Sequence, residues 1–72
     1  MTYKEAQQTV DSVETWIMQN PHEVDSLHKD KFVSNLVPAF QILFPQQCPH
    51  TKAESFIEFT VRAAQNYHEF ID

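Results

Sequence analysis

A small all-α protein is what this sequence predicts, and three observations carry the prediction. The chain has 72 residues and no glycine, so the positive-φ positions of tight β-hairpin turns and of the usual phosphate-cradling loops have no cheap residue to occupy them. Three stretches, Thr2-Tyr3-Lys4-Glu5, Asn20-Pro21-His22-Glu23 and Thr51-Lys52-Ala53-Glu54, each set a side-chain oxygen before a helical pattern and a glutamate three residues later, the arrangement of a capping box. Between them, apolar residues recur at steps of three and four. The expected architecture is a small up-down three-helix bundle with an additional short helix over about residues 21–28 and a kink at Pro38, forming a single helical domain over residues 1–72.

The first helix is expected from about Tyr3 to Gln19. Tyr3, Ala6, Val10, Val13 and Ile17 form one stripe, Lys4, Gln7, Gln8, Asp11, Glu14 and Thr15 lie opposite, and Trp16 flanks the stripe at its far end. Asn20 before Pro21 ends it, because a residue preceding proline is pushed out of the α region. A short helix is expected from Pro21, whose missing N–H costs nothing at a first helical position, with Val24 and Leu27 turned inward. The next helix is expected from about Asp30 to Phe44. Phe32, Val33, Leu36, Val37, Phe40, Leu43 and Phe44 share an arc of about 140° at the helical period, while Pro38 falls on the polar side. The apolar pattern passes straight through Pro38, so one kinked helix with the Ser34 carbonyl turned to water is expected, a break at Val37 being the alternative. The segment Pro45-Gln46-Gln47-Cys48-Pro49-His50 is read as a stiff connector, and the last helix runs from Thr51 to Ile71.

That last helix carries an apolar arc of about 200°, wider than a surface helix needs. It is either a central helix covered by both neighbours or one whose row Phe59, Ala63, Tyr67 and Phe70 faces a second chain. A domain this small buries only about 60% of its unfolded surface, yet the chain contains six Phe, two Tyr and one Trp. The apolar surplus points to association, with Phe59, Ala63, Tyr67, Phe70 and Trp16 as the expected partner-binding residues and a homodimer as the expected state.

Composition narrows the function by exclusion. The net charge is -5, with five Lys and Arg in all, too few to displace counterions from a nucleic-acid backbone. No apolar run approaches a membrane span. One cysteine cannot close an internal disulfide, and the acidic opening helix leaves no apolar signal segment, so a reducing cytoplasm is expected. The candidate ligands His22, His28, Cys48, His50 and His68 do not group at metal spacing: Cys48 and His50 supply two ligands, short of four, and His68 lies about 27 Å away along the last helix. Only an end-of-bundle grouping of His22, His28 and His68 would bring three histidines together. Cys48 has only His50 close in sequence to activate it, and no catalytic constellation emerges. No cofactor, metal or catalytic site is expected. The expected role is a stoichiometric regulator, inhibitor or adaptor of another protein. The alternatives are a nucleic-acid-associated regulator whose surface forms on dimerisation around Lys29 and Lys31, and a metal- or proton-responsive module built on the histidines.

Overall fold

The computed structural model describes residues 1–71, with side chains described through Tyr67. Three helices form an all-α bundle: α1 spans Tyr3–Gln19, α2 Ser26–Leu43 and α3 Pro49–Ile71, with a single 3-10 turn, Pro21–Glu23, between the first two. No described residue has positive φ, so every turn is made from backbone that any residue can adopt, as a chain without glycine requires.

The start of α1 forms the expected capping box. Thr2 Oγ1 accepts from the Glu5 N–H at 3.1 Å, and the Glu5 carboxylate accepts from the Thr2 N–H at 3.1 Å. Hydrogen bonding to the carboxylate from the Thr2 backbone N–H, and then from the Thr2 side chain, holds the Glu5 carboxyl below its ordinary pKa. At the other end Asn20 leaves the helix with φ -136° and ψ 54°, driven out by Pro21. Its side chain does not cap the 3-10 turn. Instead the Asn20 side-chain amide donates back to the Trp16 carbonyl at 3.1 Å, a second bond to an oxygen that also accepts the Asn20 backbone N–H at 2.9 Å.

The short helix expected over 21–28 is only the 3-10 turn, and α2 begins at Ser26, earlier than Asp30, because Asp25 caps it. The Asp25 carboxylate accepts from the His28 N–H at 2.9 Å. This start places Leu27 about 180° from Leu36 around α2. Leu27 therefore points outward and is 79% exposed, against the inward position expected of it, while Val24 is half-buried. Further along, α2 continues unbroken through Pro38, which is exposed. The helix spares a core bond because the carbonyl that loses its donor belongs to Ser34, on the same wet side.

Thr51 is not the cap of α3 either. The helix begins at Pro49, and the Lys52 N–H donates to the Cys48 carbonyl at 3.1 Å, so Cys48 occupies the cap position. Pro49 and His50, expected to lie in the connector, form its first helical positions, where a proline is at home. A contact of 2.7 Å between His50 Nδ1 and the Glu54 carboxylate spans that first turn.

The core joins all three helices through Val13, Ile17, Phe32, Val33, Leu36, Phe40, Ala53 and Ile57. Ala6, Ala39 and Ala64 are buried as well. The one buried polar side chain among the described residues, Thr60, donates to the Phe56 carbonyl at 2.7 Å, so its hydroxyl is satisfied. α2 packs closely on both other helices, and the seam between α1 and α3 is the thinner one. Among the described residues no helix is long and apolar enough to cross a membrane.

Candidate functional site

The wide apolar arc of α3 divides by burial. Ala53, Ile57, Thr60 and Ala64 face the core, Phe56 and Val61 flank them half-buried, and Phe59, Ala63 and Tyr67 stand outside. Phe59 is 74% exposed and Tyr67 56% exposed. Two neighbouring helices cover only the centre of a 200° arc, and the uncovered remainder lies toward α1. Length contributes too. α3 has 23 residues against 17 and 18 in α1 and α2, so it offers more surface than either neighbour can match in length. The side chain of Phe70, the fourth residue of the expected row, lies outside the described residues.

Beside this row the α1–α3 seam opens into a groove of about 490 Å³. Val10 and Asp11 of α1 form one wall, Lys52, Phe56 and Phe59 of α3 the other, and Phe40 of α2 reaches into it from below. Its aromatic lining is held in place: the Phe40 and Phe56 rings meet edge to face with centroids 5.7 Å apart, and Phe40 lies 5.9 Å from Phe44. The Lys52 ammonium sits 4.3 Å from the centre of the Phe44 ring, a cation–π contact that keeps a positive charge at the groove's edge.

Trp16, the fifth expected partner residue, is half-buried and engaged within the chain. Its indole stacks on the His28 imidazole at 5.0 Å and meets Phe32 edge-on at 5.2 Å. His28 in turn bonds Asp25 Oδ1 at 2.8 Å. Those two bonds from His28, backbone first and ring second, hold the Asp25 carboxyl below its usual pKa. The cluster pins the end of α1 to the start of α2.

The other polar candidates are dispersed. His22 is exposed on the 3-10 turn, His50 pairs with Glu54 at the far end of the bundle, and the His68 side chain lies outside the described residues. No group of three metal-ligating side chains converges among the described residues. Lys29 bonds Glu58 at 3.2 Å, joining α2 to α3. Cys48 is exposed, and its thiol is held below its ordinary pKa, chiefly by the Thr51 hydroxyl, which donates to Sγ at 3.4 Å, and then by the Thr51 and His50 backbone. In sequence the thiol's evident neighbour is His50; the side chain that reaches it is Thr51, three residues on, adjacent only once Cys48 is the helix cap.

No family model matches this sequence, and neither a curated protein nor a solved structure matches it.

Proposed function

We propose that this chain acts stoichiometrically, binding another protein as a regulator, inhibitor or adaptor, in homodimeric form, through the face made by the outer row of α3 and the adjoining groove. The observation that carries the reading is Phe59: an aromatic ring 74% exposed on a helix whose opposite side is core, at the edge of an aromatic groove. Burying such a ring is worth about 1.5–3 kcal/mol, a large share of the roughly 5 kcal/mol that holds a small domain together. Exposed aromatic rings grouped beside an apolar cleft are the usual anchors of protein interfaces. The reading places the chain in a reducing compartment and involves no turnover.

The test is capture of partners on the tagged full chain, comparing wild type with Phe59→Asp and Tyr67→Asp. Both variants should retain helical circular dichroism, because the core side chains are untouched, and should lose whatever protein the wild type retains. Equal capture by all three chains at matched helicity would overturn the reading.

A further inference from the structure

We propose that the groove between α1 and α3 is the seat of a second copy of this chain, each copy inserting Phe59 into the other's groove about a two-fold axis. This rests on the association reading above and names the partner for the Phe59 end of that face.

Self-complementarity is what selects the occupant. A two-fold interface requires one surface patch to carry both the projecting group and the hollow that receives it. Here they lie side by side. The ring of Phe59 stands on the rim, and the hollow of about 490 Å³ is lined with Val10, Phe40 and Phe56, within the range of clefts, about 300–1,000 Å³, that bury whole apolar groups.

The rims point the same way. Asp11 stands on the α1 wall and Lys52 on the α3 wall. Neither has an ion-pair partner among the described residues. A partner of one dominant charge would meet one favourable and one unfavourable rim. A second copy related by an axis along the groove meets each wall with the opposite one, so Asp11 of each chain faces Lys52 of the other, twice over. Lys52 is already positioned for this by the Phe44 ring beneath its ammonium, which lowers the ordering cost of the contact. From Lys52 to Tyr67 the face runs about 22 Å along α3, long enough to contribute to the roughly 800 Å² per copy that a stable pair covers.

The experiment is sedimentation equilibrium of the full chain over a wide concentration range, with circular dichroism to check folding. Wild type should dimerise, and Phe59→Asp should shift it to monomer. Asp11→Lys and Lys52→Asp, both conservative of the core, should each weaken dimerisation by about tenfold, since symmetry repeats the like-charge contact. Mixing those two single variants should restore a dimer, because every rim contact between them is attractive. That rescue separates a specific seat from a general surface effect. A wild-type monomer at all concentrations, or single variants that dimerise like wild type, would overturn the proposal. If the wild type were monomeric and Phe59→Asp still lost a captured protein, the second-copy seat and the homodimeric form would fall and the binding of another protein through this face would stand. If that variant captured as wild type does, that binding would fall as well.

Discussion

Asp25 is the residue with the clearest solution signature. Its carboxylate caps α2 and bonds the His28 ring, and both bonds depress its folded pKa below the unfolded value of about 3.9. The stabilisation it supplies is therefore complete above that unfolded value and fades as the pH falls through the lower folded one. Asn caps as well as Asp, so Asp25→Asn should leave the neutral-pH melting temperature nearly unchanged and flatten its decline in acid. Thermal melts from pH 2 to 7 check this, and an unchanged acid slope would remove Asp25 from the account. Cys48 offers a second residue-level test. Its thiol owes its lowered pKa first to the Thr51 hydroxyl, so Thr51→Val should raise the pH at which iodoacetamide alkylation reaches half its maximal rate. The same substitution should leave α3 intact, because Thr51 sits inside the helix and does not cap it.

At the level of the helices, Pro38 is the anomaly. A proline inside a helix costs about 3 kcal/mol relative to alanine, against which its stiffening of the unfolded chain returns up to about 1 kcal/mol. Pro38→Ala lets a backbone N–H reach the Ser34 carbonyl on the exposed side of α2 and adds no bulk to the core. The variant should be more stable by about 2 kcal/mol, measured by urea denaturation. Destabilisation instead would mean that the shape Pro38 imposes on α2 is required by the packing of Phe40 and Val33 on its neighbours. The helix boundaries show how far local signals reach. The Thr2 box was readable because its two partners are three residues apart and nothing competes with them. At Asn20 and Thr51 the same spelling is overruled: Asn20 has a closer acceptor in the last turn of α1, and Pro49 starts α3 before Thr51 is reached.

The whole molecule turns on one small core. Leu36 is fully buried where α2 meets both other helices, and large-to-small changes at such sites cost about 2–5 kcal/mol. For a domain of about 5 kcal/mol, Leu36→Ala should leave much of the chain unfolded at 37 °C, seen as lost helical ellipticity. Phe59→Ala, by contrast, should shift the monomer's melting temperature little. That contrast distinguishes a core aromatic from a surface one, and comparable losses in the two variants would show that Phe59 contributes to the bundle's interior.

By itself the sequence determined the class of the fold, the existence of the three long helices and most of the buried side of each, since a 3.6-residue period and the absence of glycine are properties of the chain before it packs. It also marked α3 as having more apolar surface than two neighbours can cover. Only the tertiary structure decided which part of that arc is core. Burial depends on which helix lies alongside, so Ile57 and Phe59, both apolar and both on the arc, end as a fully covered and a 74% exposed side chain. The same holds for Leu27, whose inward position required a helix that Asp25 and Pro21 do not build, and for Thr51, whose hydroxyl found a thiol because Cys48 had taken the cap. The groove itself has no sequence spelling. It exists because α1 and α3 both pack on α2 more closely than on each other, leaving their seam open between residues far apart in the chain.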